Sequence, residues 1–259
     1  MSMRERIKPL LLPIAALLVF EAWMRLAAVQ SDSLAPPSAI ALALAGALAD
    51  GSLLAATRDT LASAFAGLAI GGAIGLVLGV ALGLSHVLSR LMEVTIEAIR
   101  PIPSVALLPI ALIALGFGYR MEIAIVAFAC VWPVLIVTRA AVGGIEPRLI
   151  EVARVLRLTQ LDRIRKIVLP AALPRIVLAF RLAAGIALIV AVTVEIAINP
   201  LGLGAGIMTA QQALRPDLML AYLVWIGVTG FALNAALTAA QQTLFGRAAL
   251  TDDNAWDGP

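Results

Sequence analysis

The chain of 259 residues is short of most things a chemical site is built from. It has one cysteine, Cys130, and one histidine, His86. That pair cannot make a zinc site, a disulfide framework or an iron–sulfur cluster. Its two lysines, Lys8 and Lys166, follow no glycine. The GxxxxGK[ST] phosphate loop is therefore absent, and the chain does not bind ATP in that way. Charge is scarce too: Asp, Glu, Lys and Arg make up 14% of the chain, against 62% for AVILMFWYC. Soluble domains carry about 25% and about 45–50% respectively. The composition is that of an integral membrane protein, and the net charge of +3 gives no case for nucleic acid. Cys130, inside the run Ala127–Val131, reads as a small buried hydrophobe. His86, after Leu84-Ser85, reads as a helix end at the lipid surface.

Apolar length is what the chain has instead. A crossing needs about 20 mostly apolar residues. Six segments qualify or nearly do: Leu10–Ala28, Thr60–Leu84, Ile99–Leu115, Ile123–Val142, Leu173–Ile198 and Leu218–Leu237. The first also has the basic start of a signal peptide. Glu21 and Arg25, four apart on one helix face, favour a retained helix. Barrel-type alternation is missing, so the expected class is all-α, with about six transmembrane helices in one domain, 1–259. With the N-terminus inside, 14 of the 19 basic residues fall on the cytoplasmic side and four outside, with Arg181 in the fifth helix. The bias places both termini on the cytoplasmic side, with six crossings. In the second helix Gly67, Gly71, Gly75, Gly79 and Gly83 recur every fourth residue. That spacing lets another backbone approach closely; a glycine-lined sliding wall is the alternative.

The segment between helices four and five, about 143–172, carries the most information. Gly143-Gly144 closes helix four, and Pro147 suits a first helical position. Thr159 and Asp162 have the spacing of an N-cap and its capping carboxylate. A second short helix, Gln160–Val168, is expected to stop at Pro170. From Arg139 to Arg175 the loop has eight basic and three acidic residues. A basic loop could lie on anionic lipid. Two capped helices with apolar residues such as Ile150, Ala153 and Val155 suit a protein docking surface better.

The same stretch resembles the cytoplasmic loop of ABC-importer permeases, E-A-A, three residues, G, nine residues, I-x-L-P. Here it reads Glu151-Val152-Ala153, Arg157 at the glycine position, and Ile167-Val168-Leu169-Pro170. Glu97 to Pro103 with Pro109 is similar to the R-P-x-P segment of the nitrate/sulfonate/taurine-type permeases. Glu195 and Gly202-Leu203-Gly204 are similar to their late glutamate and G-L-G loop.

The resemblance implies a type I importer fold and a non-catalytic transport subunit. It implies a second permease, expected to be an identical copy, two ATPase subunits that hold ATP and Mg, and a substrate-binding protein that delivers a small polar, often anionic, solute. Glu151, Ala153, Arg154, Leu156, Arg157, Ile167, Leu169 and Pro170 would carry coupling to the ATPase. No metal or cofactor is expected on this chain. A lone secondary transporter or a scaffold subunit is the alternative.

Arg181 and Glu195 are ionisable groups in an apolar run, where such groups face a cavity or a partner. With Arg100, Pro101 and Pro103, where broken backbone enters the third segment, they are the pathway or gate candidates. Glu195 also suits an interhelical brace, and Arg181 could snorkel to the inner surface. Gly202, Gly204 and Gly206, preceded by no strand, read as a re-entrant or extracellular turn.

Overall fold

The computed structural model describes residues 3–27 and 31–245, without the side chains of 3–11, 147, 150, 152, 154, 244 and 245. Among the described residues every regular element is helical. They are α1 Met3–Leu26, α2 Pro37–Ala49, α3 Ser52–Leu84, α4 His86–Ile99, α5 Leu108–Leu115, α6 Tyr119–Gly143, α7 Pro147–Val155, α8 Gln160–Arg163, α9 Leu169–Ala197, α10 Gly202–Gln212 and α11 Pro216–Phe245. Among the described residues four stretches are long and apolar enough to cross a membrane: Ser52–Leu84, Tyr119–Gly143, the helical run Gln160–Gln212, and Pro216–Thr243. A fifth is the pair His86–Ile99 and Ser104–Leu115, if its 79° bend is one broken span. The expected first crossing, Leu10–Ala28, falls on α1; residue 28 and the side chains of 3–11 lie outside the described residues.

The chain divides into two compact units, Met1–Asp59 with Glu195–Thr229, and Thr60–Val194 with Gly230–Pro259. The first has a small core of Ala47, Leu53, Leu203 and Tyr222. Trp225 closes it on one side by donating its indole N–H to the Thr57 hydroxyl at 2.8 Å. The second is built around α6, whose Met121, Ile125, Val126, Cys130 and Val134 are buried with Ala183, Ala184, Ala187 and Ala191 of α9. Small residues on α9 allow that close approach.

The glycines of the four-residue repeat in α3 face α6. A Cβ placed on Gly67, Gly71, Gly75, Gly79 or Gly83 would lie 2.2–2.6 Å from α6 atoms. At Gly71 and Gly75 the nearest atoms are the backbone oxygens of Ala127 and Val131. Partner numbers climb with glycine numbers, from Val126 at Gly67 to Val142 at Gly83. The two helices therefore run parallel, backbone against backbone.

Two expectations about local structure are corrected. Pro170 does not end the second loop helix. The chain stays helical from Gln160 to Ala197, through a single π turn, Ile164–Val168. There the Leu169 N–H reaches back five residues to Ile164 O. The shifted register leaves Pro170 in the first turn of the next α segment, where a missing N–H costs little. Gly202 to Gly206 form the start of α10, not a turn.

Candidate functional site: the loop between α6 and α9

Helix α7 ends in a geometry that the sequence made doubtful. Arg157, at the resemblance's glycine position, has φ +49°. The Leu158 N–H donates to Ala153 O at 3.0 Å, the six-to-one bond of a Schellman cap. The arginine adopts the left-handed conformation that glycine takes at less cost. Two residues on, the Asp162 N–H donates to the Thr159 hydroxyl at 3.2 Å, and that hydroxyl donates to the Asp162 carboxylate at 2.7 Å. Lys166 lies 2.9 Å from the same carboxylate. The Thr159 bond, then Lys166, holds the Asp162 carboxyl below its ordinary value. The loop is thus two capped helical pieces with a fixed turn between them.

Its residues divide by exposure. Ala153 is 3% exposed, and α7 packs on the π turn Ile164–Val168. Ala153 is thus a small residue under α7, not one on its outer face. Glu151, Val155, Leu156 and Arg157 are exposed, Val155 by 82% and Leu156 by 62%. The side chain of Arg154 lies outside the described residues. Ile167 is half-buried, Leu169 and Pro170 are exposed, and Val168 is buried. Val168 sits in a cluster with Ala141, Val142, Ala172 and Ile176, which ties the loop to the end of α6 and the start of α9.

The remaining candidates lie elsewhere. Arg100, Pro101 and Pro103 are exposed in the turn between α4 and the 3-10 turn Ser104–Leu107. Arg181 reaches α11, with long bonds from Nε and Nη2 to Asn234 Oδ1 at 3.4 and 3.3 Å and from Nη1 to Gln241 Oε1 at 3.4 Å. Asn234 and Gln241, two turns apart on α11, were not marked by the sequence reading, though they are amides in a largely apolar helix.

Glu195 is 2% exposed and accepts the Gly204 N–H at 2.8 Å. Gly204 is in the first turn of α10, so the carboxylate caps that helix at its positive pole. Gly202 has φ +88°, and a Cβ there would fall 2.0 Å from a Glu195 oxygen. Glu195 is not the sole buried carboxylate: Glu122, in the first turn of α6, is 1% exposed. A polar residue at a helix start reads as solvent-facing, and the sequence alone offered no sign of its burial.

Known proteins match this architecture. The family of binding-protein-dependent transport system inner membrane components matches residues 71–249. The chain belongs to that family. SsuC of Bacillus subtilis (strain 168), named for aliphatic sulfonates transport, is 30% identical over 97% of this chain and 89% of its own. The bicarbonate transport system permease protein CmpB of Synechococcus elongatus is 34% identical over 57% of this chain and 53% of its own. The taurine transport system permease protein TauC of Escherichia coli (strain K12) is 29% identical over 60% and 56%.

Among solved structures, an amino acid ABC transporter crystallised with histidines matches at TM-score 0.63 and 19% identity, over 79% of this chain and 97% of that one. The MetNI methionine ABC transporter, in an inward-facing conformation, matches at 0.59 and 22%, over 72% and 95%. These likenesses show the fold of ABC importer permeases. The protein is a non-catalytic, multi-pass inner-membrane transport subunit. Its family works with an ATPase and a binding protein.

Proposed function

We propose that this permease moves a small polar anion of the sulfonate, taurine, nitrate or bicarbonate kind, and that the loop 143–172 couples it to the ATPase. Two identical permeases would line the pathway as one membrane domain each, over two ATPase subunits that bind ATP and Mg. Both termini would be cytoplasmic, as the basic-residue bias requires.

The observation that carries the coupling reading is the loop's build. An exposed apolar and basic end, Val155-Leu156-Arg157, stands on a helix that is capped and packed on its own chain. A braced helix transmits a displacement that a slack loop would absorb. Through Val168 the displacement passes to the ends of α6 and α9. Glu151, Leu156 and Arg157 would meet the ATPase directly. Ala153, Ile167, Leu169 and Pro170 would support them, and Arg154 belongs to the same helix.

In the membrane, Arg181 with its two amides on α11 is the polar candidate for the pathway. Arg100, Pro101 and Pro103 sit at a bend that suits a gate. Glu195 is better read as a brace, since its carboxylate is spent on the start of α10. The identity of the anion rests on the relatives' names.

The test is reconstitution with the cognate ATPase and binding protein. Leu156→Glu should prevent ATPase assembly, with the permease inserted and folded. Full-affinity ATPase binding by that variant would overturn the coupling reading. Uptake of a neutral solute with no competition from sulfonate, taurine, nitrate or bicarbonate would overturn the substrate class.

A further inference from the structure

A cavity of about 550 Å³ opens at the ends of α3 and α6, between them and the loop's second helix. It is lined in part by His86, Ser89, Arg139 and Arg163. Among the described residues no carboxylate lines it. His86, expected at the lipid surface, here faces a cavity at the start of α4. Arg139 is 3.8 Å from Glu93, a loose pair in which the glutamate is 49% exposed, so water screens the glutamate's charge. Arg163 is different. Its Nε is shut off from solvent and finds no acceptor among the described residues. The carbonyl ends of α3 and α6 come to the same place, yet none of them accepts from it.

A buried guanidinium donor without an acceptor is costly, and native structures seldom leave one. Two guanidinium groups from different elements, a hydroxyl and an imidazole line one space, and the closed-off Arg163 Nε reaches an oxyanion there once its side chain turns toward the cavity. A guanidinium fork matches the edge of a phosphate group. We infer that this cavity binds a phosphate group, held between Arg163 of the loop and Arg139 of α6. The group is carried by a soluble phosphate ester or by an anionic lipid headgroup, and both sources have the same chemistry.

Binding there draws the loop helix toward the end of α6. Under the coupling reading above, on which this consequence rests, the site would tune how firmly the coupling loop is held. The binding site itself does not depend on that reading.

The experiment uses the full-length permease without its ATPase, so a failure of the coupling reading leaves it intact. Wild type, Arg163→Gln and Arg165→Gln are placed in nanodiscs of phosphatidylcholine alone or with phosphatidic acid. Arg165 is an exposed neighbour on the same turn and serves as the control. Inorganic phosphate is titrated by calorimetry, and the unfolding midpoint is read in both lipids.

If the source is soluble, phosphate binds wild type and Arg165→Gln alike and binds Arg163→Gln at least tenfold more weakly. If the source is lipid, free phosphate does not bind. Phosphatidic acid then raises the midpoint of wild type and Arg165→Gln but not of Arg163→Gln. Either pattern supports the site. Equal behaviour of Arg163→Gln and wild type in both arms, or no response to either probe, overturns it. Arg163→Lys keeps the charge without the fork and should bind with intermediate strength, which guards against a loss caused by misfolding.

Discussion

Gly202 and Arg157 both hold the backbone in the left-handed region, at φ +88° and +49°, yet only one of them is glycine. At Gly202 the conformation coincides with a close approach: the Glu195 carboxylate occupies the space a Cβ would need. At Arg157 the side chain points into open surroundings and only the conformation is demanded. A left-handed conformation alone costs an L-residue about 1–2 kcal/mol. At Gly202 a Cβ would also overlap the Glu195 carboxylate, which would have to shift and strain its bond to the Gly204 N–H. Leu214 repeats the lesson after α10: φ is +54°, and Arg215 N–H bonds to Ala210 O at 2.9 Å. A left-handed φ by itself is tolerated by arginine and leucine here, whereas glycine is demanded where another group takes the Cβ position, as at Gly202 and Gly71.

Breaking the doubly constrained site should have the largest effect. Gly202→Ala should lower stability by about 3 kcal/mol or more, since it combines backbone strain with a clash. The unfolding midpoint of the purified permease in detergent reads this. A shift within a degree of wild type would mean that the carboxylate moves aside freely. Gly71→Leu tests close approach without a special φ. It should cost about 1–3 kcal/mol as α3 and α6 are forced apart, read in the same assay with Ile70→Leu, at an exposed neighbour, as control.

Glu195→Ala removes the other half of the Gly202 contact. It should cost about 1–3 kcal/mol because the Gly204 N–H loses its acceptor. Adding Gly202→Ala to it should cost less than Gly202→Ala does alone, and a double-mutant cycle measures that coupling. Full additivity would break the comparison.

Arg157→Gly should act in the opposite direction. It relieves a lone left-handed residue and should stabilise the α7 end by up to about 1 kcal/mol, seen as slower amide exchange at Leu158. The same variant should bind the ATPase more weakly if the exposed guanidinium contacts it. Tighter or equal binding would leave Arg157 as a tolerated substitution.

The smallest effect concerns pH. The Asp162 carboxyl titrates below the ordinary range because the Thr159 hydroxyl and then Lys166 favour its charged form. Its contribution to the loop cap is present above the unfolded value and is lost as pH falls through the lowered one. Amide exchange at residues 160–163 should quicken only at that acidic end. Asp162→Asn should flatten the dependence.

Much of the fold was legible because membrane insertion imposes composition and period on the sequence. The scarcity of charge marked the class, and the four-residue glycine period marked the α3 face now seen against α6. Thr159 and Asp162 are local neighbours, so their spacing sufficed to foresee the bond they make. Pro170 misled because proline's usual effect assumes an unbroken α register, and the π turn before it removes that assumption.

The site was less legible. The loop's position followed from its motif spacing, but which of its residues face outward did not. Ala153 and Leu156 are three apart on similar apolar ground, and only packing on the π turn buries the first and leaves the second in the open. By itself, then, the sequence determined what short-range chemistry and solvent partition dictate: apolar spans, a basic loop, caps and a small-residue stripe. Tertiary structure alone decided that Glu195 would cap α10, that Arg181 would meet Asn234 and Gln241, that Glu122 would be buried, and that the Arg163 Nε would be shut in without an acceptor among the described residues. Those contacts join residues from nine to 60 positions apart or depend on many neighbours at once, and no local period or spacing encodes them.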